Sequence, residues 1–156
     1  MKAKIISCGI LAYRVLNGKK QVFLVHPGGP FWAKKDEGAW SIPKGEMEED
    51  ETDFLEVAKR EFTEETGQEI QGDFISLEPV KLKSGKTVIA FAINNDSIDE
   101  NSISSNTFEM EWPPRSGKMQ PFPEIDRGAW IDIDTAKTKL NSGQLPLLTQ
   151  LESLFK

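Results

Sequence analysis

Apolar and polar residues follow a strand-like period over much of this chain. Apolar residues alternate with polar ones or form short clusters in five segments, which predicts β-strands over 5–16, 22–25, 74–80, 88–93 and 129–133. Asn17-Gly18 follows the first segment and Ser84-Gly85 precedes the fourth, and both pairs are typical of hairpin turns. The pattern therefore predicts a sheet with some strands joined by tight turns.

A helical period replaces the strand pattern over 52–66. On a wheel of about 3.6 residues per turn, an apolar stripe is centred on three residues and widened by two more: Leu55, Ala58 and Phe62, with Phe54 and Val57. Gly67 follows the segment directly and is placed to end the helix as a C-cap. We therefore expect an amphipathic helix with one face packed on the sheet.

Two shorter helices are predicted near the end of the chain. Asp134 is placed to cap a helix that continues to about Leu140, and the amphipathic stretch 147–155 forms another helix with Pro146 in its first turn. Strands mixed with three helices are typical of an α/β sandwich.

Three carboxylates lie together on the first predicted helix. Glu61 and Glu65 fall on the flank of its apolar stripe, and Glu64 lies next to them. Like charges three or four residues apart destabilise a helix, and an unpaired half-buried carboxylate is costly. A divalent cation removes this conflict, and oxygen ligands favour Mg²⁺ or Mn²⁺ over zinc. The alternative is a solvated acidic helix without a ligand.

The residues before this helix extend the pattern into a motif. Residues 40–45 are consistent with a short strand that runs into a turn at Gly45. The order of strand, acidic loop, helix and glycine resembles the signature of the Nudix hydrolases, and the matching residues are Gly45, Glu51, Arg60, Glu61, Glu64, Glu65 and Gly67. One spacing departs from the signature, because eight residues rather than seven separate Glu51 from Arg60. The role of Glu51 therefore stays open.

The resemblance implies a fold and a set of site residues. It implies a single Nudix hydrolase domain over 1–156, built as an α/β/α sandwich with a mixed sheet. By resemblance, Glu61, Glu64 and Glu65 would hold Mg²⁺ or Mn²⁺, Glu61 would also serve as a base, and Arg60 would orient the carboxylates. The backbone carbonyl of Lys44 would add a metal ligand. Glu124, six residues before Trp130, matches a further metal-binding glutamate of several members.

Substrate contacts are predicted on both sides of the helix motif. Lys44 and Gly45 are candidates beside the metal site, and either Lys44 or Arg115 could stabilise charge on a leaving phosphate. The stretch 94–123 is too long for an ordinary hairpin connection, which indicates a functional or mobile loop. Within it, Trp112 and Arg115 are candidates for stacking on a base and contacting phosphate. Equally, Phe108 and Trp112 could hold the loop to the core.

Composition narrows the possible partners. A net charge of −6 disfavours a broad nucleic-acid surface but not a small phosphorylated nucleotide. We expect a cytoplasmic protein, since no apolar run approaches the ~18 residues of a membrane span and the chain does not begin with a signal peptide pattern. The single cysteine, Cys8, is expected in the core, and the single histidine, His26, either supports a loop or contacts substrate.

The resemblance covers most of the chain and extends to small bacterial-type nucleotide pyrophosphohydrolases, through 26–32, 40–45 and 112–117. We therefore expect metal-dependent hydrolysis of a pyrophosphate linkage in a nucleoside diphosphate derivative, either a nucleoside triphosphate or a dinucleoside polyphosphate. Two alternatives are an RNA 5′-end pyrophosphohydrolase and a Nudix-fold module that binds a nucleotide without hydrolysing it. The oligomeric state stays open.

Overall fold

A computed structural model describes residues 5–155 of the chain. In chain order its strands and helices are β1 (Ile6–Leu16), β2 (Lys19–Pro27), β3 (Lys44–Glu46), α1 (Phe54–Thr66), β4 (Ile75–Ser76), β5 (Val80–Lys81), β6 (Thr87–Asn94), β7 (Thr107–Glu111), β8 (Met119–Pro123), β9 (Ile125–Asp132), α2 (Ile133–Lys139), a short 3₁₀ helix (Ser142–Gln144) and α3 (Leu145–Leu154). No helix among these residues is long and apolar enough to cross a membrane.

The main sheet is mixed. Its strand order is β4-β6-β1-β2-β9, with β3 paired to β1 and β5 paired to β6. Strands β1 and β6 run parallel, whereas β2 is antiparallel to both β1 and β9. The turn between β1 and β2 has positive φ at Asn17 and Gly18, which confirms the predicted hairpin turn. The turn at Ser84-Gly85 between β5 and β6 is also present.

Helices cover both faces of this sheet. Along β2, Phe23 and Val25 belong to the core under α1, while Val22 and Leu24 belong to the core under α2 and α3. This alternation follows from the two-residue period of a strand. The predicted α/β/α sandwich with a mixed sheet is therefore confirmed.

Helix α1 forms where the periodicity predicts it, with small differences. The predicted range began at 52, whereas the helix begins at Phe54 with Asp53 as its N-cap, since the Asp53 carboxylate accepts hydrogen bonds from the backbone N–H groups of the first turn. Gly67 ends the helix in the left-handed conformation with φ 76°, as predicted. Phe54 was expected to widen the apolar stripe, but it is 39% exposed. It lies in the first turn, and the buried face consists of Val57, Ala58, Glu61, Phe62 and Thr66.

The start of α2 is also corrected. Asp132, not Asp134, occupies the N-cap position, and Asp134 lies in the first turn. The Asp132 side chain makes no cap hydrogen bond, because it accepts one from Gln21 and pairs with Lys19 instead. Helix α3 begins at Leu145 and carries Pro146 in its first turn, as predicted.

The segment 94–123 is not a continuous loop. It contains the antiparallel hairpin β7–β8, which forms a separate two-stranded sheet. Phe108 and Met110 alternate with exposed residues in β7, as expected for a strand. Pro121 and Pro123 make β8 difficult to predict from the sequence. Proline has no backbone N–H to donate to a neighbouring strand and is tolerated mainly in the edge strands of a sheet.

Candidate active site

The site is centred on the flank of α1 that faces β3. Glu61 is only 9% exposed, and its carboxylate occupies the space beside Gly45. A Cβ atom at Gly45 would overlap that carboxylate. Gly45 does not form the predicted turn, because it lies inside β3 and pairs with Cys8 of β1. Its lack of a side chain makes room for Glu61.

Arg60 connects three of the carboxylates. Its Nε and Nη2 donate to the two oxygens of Glu51 at 2.9 and 2.6 Å. Its Nη1 donates to Glu61 Oε1 at 2.8 Å and to Glu64 Oε1 at 3.1 Å. This planar fork holds the acids in fixed directions, which supports the predicted orienting role. Glu56, one turn before Arg60 on α1, pairs with Lys59 at 3.9 Å.

The extra residue between Glu51 and Arg60 does not separate the pair. Glu51 lies in a turn before α1, where its backbone N–H donates to the Glu48 carbonyl and its carboxylate accepts from the Glu48 N–H. This turn returns Glu51 to the side of Arg60, and the resulting hydrogen bonds hold the Glu51 pKa below its ordinary value. The open question about Glu51 is thereby answered: it anchors Arg60.

Glu65 links α1 to β3. One of its oxygens accepts a hydrogen bond from the backbone N–H of Lys44 at 3.2 Å. Burial nevertheless raises the pKa of Glu65 to about 8, and burial together with the charge of Glu64 raises the pKa of Glu61 to about 7. Burial also lowers the pKa of the Lys44 ammonium, with Lys86 adding to the effect. Without a cation nearby, the charged forms of Glu61 and Glu65 are therefore disfavoured.

Glu124 is brought to the same site by backbone hydrogen bonds. The Asn106 N–H donates to the carbonyl of Glu64 in α1, and the Asn106 carbonyl accepts from the N–H of Glu124. The Glu124 carbonyl in turn accepts from the N–H of Gly28 at 2.8 Å. The pKa of Glu124 is raised by partial burial and by the charge of Glu64. Asn106, which the sequence did not single out, thus connects the two parts of the site.

The donor set suits a hard cation. Four carboxylates face a common region: those of Glu61, Glu64, Glu65 and Glu124. The space beside Gly45 allows the Glu61 carboxylate to lie close to β3. Within residues 5–155, however, the side chains as they stand form no group of three or more His, Cys, Asp or Glu that could hold a metal ion. Arg60 holds one oxygen of Glu61 and one of Glu64, which leaves the second oxygen of each carboxylate for a cation.

Cys8 and His26 do not belong to the donor set. Cys8 is buried in β1, and burial together with the charge of Glu51 raises its pKa to about 11, so it is a core residue as predicted. The two ring nitrogens of His26 contact Asp126 at 2.9 Å and the Lys35 carbonyl at 2.6 Å. His26 therefore supports the loop after β2, which was one of its two predicted roles.

Trp112 and Arg115 lie apart from the carboxylates. Both are in the turn between β7 and β8, where the Trp112 N–H donates to the Lys118 carbonyl and the Arg115 N–H donates to Glu111. Trp112 is half-buried and Arg115 is exposed. Their role in substrate binding stays a prediction.

Two cavities are lined in part by the loop after β2. The larger, of about 690 Å³, lies between residues 33–36 and β9, and none of the four carboxylates lines it. The smaller, of about 290 Å³, includes Glu124 in its wall, together with Phe31, Trp32, Phe108 and Met110. Size alone favours the larger cavity, but the smaller one opens beside the candidate metal ligands. We therefore treat the smaller cavity as part of the site.

Comparison with solved structures identifies the fold. The chain is similar to a Caenorhabditis elegans Ap4A hydrolase in a binary complex, with 18% identity, 97% of each chain covered and a TM-score of 0.64. It is also similar to the NUDIX domain of Shewanella oneidensis NrtR complexed with ADP ribose, with 15% identity, coverage of 100% and 91%, and a TM-score of 0.67. MutT, described for Aliivibrio salmonicida and Vibrio cholerae, matches at 16% identity, coverage of 94% and 93%, and a TM-score of 0.55.

Sequence comparison identifies the family. No curated protein matches the chain significantly. The family model described as the NUDIX domain, by contrast, matches residues 8–151, which is nearly the whole chain. This match includes every glutamate of the candidate site. The chain belongs to the Nudix hydrolase family, whose members are pyrophosphohydrolases that act on nucleoside diphosphate derivatives.

Proposed function

We propose that this protein hydrolyses a pyrophosphate linkage in a nucleoside triphosphate or a dinucleoside polyphosphate, with Mg²⁺ or Mn²⁺ as cofactor. The observation that carries the proposal is the meeting of Glu61, Glu64 and Glu65 of α1 with Glu124, next to the backbone of Lys44. Such a concentration of acid in a partly buried site is unfavourable without a cation.

The acidic side chains of the site have two proposed roles, which are to bind the cation and to accept a proton. Glu61, Glu64, Glu65 and Glu124 would hold the cation with the carbonyl of Lys44, and Arg60 keeps the α1 carboxylates in place through Glu51. A bound divalent cation supplies positive charge for the phosphate oxygens and makes a nearby water more acidic.

During hydrolysis, the water oxygen bonds to one phosphorus atom while the bridging P–O bond breaks. The proton of the water passes to a carboxylate of α1, for which Glu61 is the proposed base. In the metal-free protein, burial and the charge of Glu64 raise the pKa of Glu61 to about 7, which shows that this carboxylate holds a proton more readily than an ordinary one. The leaving phosphate departs with the bridging electrons, and the proposed group that offsets its new charge is the side chain of Lys44 or of Arg115.

The substrate class follows from family membership and from the site. Structures of similar fold are described as an Ap4A hydrolase and as a domain bound to ADP ribose, so nucleotides with a pyrophosphate linkage are the first compounds to test. We further propose that residues 1–156 act as one domain and that the protein works in the cytoplasm.

The proposal is tested by a hydrolysis screen with and without Mg²⁺ or Mn²⁺. The screen covers nucleoside triphosphates, dinucleoside polyphosphates, nucleotide sugars and RNA with a 5′ triphosphate. Glu64→Gln and Glu65→Gln should lower turnover at least about a hundredfold, the scale expected for loss of a catalytic group. Glu56→Gln on the exposed side of α1 is the matched control. Tight nucleotide binding with no hydrolysis under any condition would instead identify a binding module.

A further inference from the structure

An open aromatic cleft adjoins Glu124. One wall is the loop after β2, with Phe31 and Trp32, and the other is the hairpin strand β7, with Phe108 and Met110. Phe31 is 60% exposed, although exposing an aromatic ring of this size to water is unfavourable. The rings of Phe31 and Trp32 meet edge to face at 5.1 Å. The cleft thus presents apolar ring surface next to a candidate metal ligand.

Glycines allow the two walls to approach closely. A Cβ atom at Gly28 would overlap the carbonyl of Pro123, and one at Gly29 would lie 3.0 Å from the Phe108 ring. Gly29 also has a φ of 92°, which disfavours any other residue. The glycine pair therefore serves close packing of the loop on the hairpin, which sets the width of the cleft.

A cation lies at the outer edge of the same loop. Lys35 Nζ is 3.7 Å from the centre of the Phe31 ring and 5.1 Å from that of Trp32. The backbone carbonyl of Lys35 is held by the buried His26, which fixes this end of the loop. Aromatic surface and positive charge are thus held on one loop beside the carboxylates.

We propose that this cleft is the nucleobase subsite of the enzyme and that it accepts different bases with little discrimination. The inference rests on the proposed function and names the part of the substrate that lies outside the hydrolytic centre. The volume of about 290 Å³ lies just below the ~300–1,000 Å³ typical of small-molecule sites, so it suits one ring system rather than a whole nucleotide.

Low discrimination follows from the chemistry of the walls. Stacking on an aromatic ring tolerates any base, because every base has a π face. Reading a base edge requires paired donors and acceptors, such as the side-chain amides of Asn or Gln. Among the side chains that line the cleft, only the Glu124 carboxylate, the Trp32 indole N–H and the weakly accepting Met110 sulfur can hydrogen-bond, and none of them is a side-chain amide.

The test measures binding rather than turnover. The probes are the methylene-bridged analogues of ADP, GDP, CDP and UDP, with methylenediphosphonate as the base-free probe, titrated calorimetrically in Mg²⁺. Phe31→Ala and Phe108→Ala should each weaken all four nucleotide analogues about 5- to 150-fold, the range expected for loss of one stacking partner. Binding of methylenediphosphonate should not change. The wild-type affinities for the four analogues should agree within about tenfold.

Met119→Ala is the matched control, since Met119 is 61% exposed on the same hairpin and does not line the cleft. Melting temperatures of all variants show whether the hairpin still folds. If Phe108→Ala is unfolded, the binding measurements on Phe31→Ala decide the question. Equal weakening of the base-free probe would overturn the subsite, and so would unchanged nucleotide binding in Phe31→Ala. A preference above about a hundredfold for one base would overturn the claim of tolerance.

These outcomes are separate from those of the proposed function. If the nucleotides bind through the cleft but no compound is hydrolysed, the hydrolase proposal fails and the subsite stands. If nucleotides are hydrolysed with a Michaelis constant that Phe31→Ala leaves unchanged, the subsite fails and the hydrolase proposal stands.

Discussion

Replacing Glu65 by glutamine should change how the stability of the metal-free protein depends on pH. The ordinary pKa of a glutamate, 4.5, rises to about 8 at Glu65 because the side chain is buried. Glutamine keeps an oxygen that can accept the hydrogen bond from the Lys44 N–H, but it never ionises. The substitution therefore removes the cost of the charge while leaving the contact to β3.

The sign and size of the effect follow from the two pKa values. The pKa of Glu65 is higher in the folded than in the unfolded protein. Its favourable contribution to the unfolding free energy is therefore complete below about pH 4.5 and is lost as the pH rises through about 8. A pKa difference of one unit corresponds to ~1.4 kcal/mol of unfolding free energy. Between pH 5.5 and 8.5 the wild type should therefore lose about 3 kcal/mol more of its unfolding free energy than Glu65→Gln does.

Urea unfolding in EDTA at the two pH values measures this difference. Glu56→Gln serves as the control, because Glu56 is exposed on the other side of α1 and should follow the wild type. Saturating Mg²⁺ should reduce the difference, since bound cation offsets the charge of Glu65. The reasoning is refuted if the difference in unfolding free energy between the wild type and Glu65→Gln is the same at pH 5.5 and at pH 8.5.

Three further predictions concern the metal, the glycine beside it and the hairpin turn. In a thermal melt, Mg²⁺ should raise the melting temperature of the wild type but not that of a Glu61, Glu64 and Glu65 triple Gln variant, and equal shifts would place the metal elsewhere. Gly45→Ala should displace the Glu61 carboxylate, cost about 1–3 kcal/mol of stability and lower turnover at least about tenfold; wild-type turnover would contradict this. Trp112→Ala should weaken nucleotide binding by roughly 1–3 kcal/mol if the ring stacks on a base, whereas a stability loss of about 3–5 kcal/mol with unchanged affinity would show a structural role.

Local patterns determined the centre of the site. The register of Arg60, Glu61, Glu64 and Glu65 on α1 could be derived from the sequence, because helical spacing depends only on residues close together in the chain. The C-cap at Gly67 could be predicted in the same way, because glycine readily adopts the left-handed backbone conformation that ends many helices and that Gly67 has in the structure. The apolar run 22–25 likewise predicted a strand, although only the structure shows that its residues alternate between the cores on the two faces of the sheet.

Tertiary packing decided which distant residues meet this helix. Asn106 connects Glu64 to Glu124 through backbone hydrogen bonds, which any residue type with an N–H and a carbonyl can form, so its side chain gave no signal. Gly45 was predicted as a turn because glycine is common in turns. Its real constraint is the Glu61 carboxylate packed against it from another element.

The aromatic cleft was the largest difference between sequence and structure. Phe108 belongs to a hairpin that two prolines hid, and Phe31 and Trp32 lie in a loop whose course depends on His26 and on Gly28. Sequence spacing predicts which side chains share a face of one element. It does not predict which loops of different elements pack together, because those contacts depend on the three-dimensional fit of the whole fold.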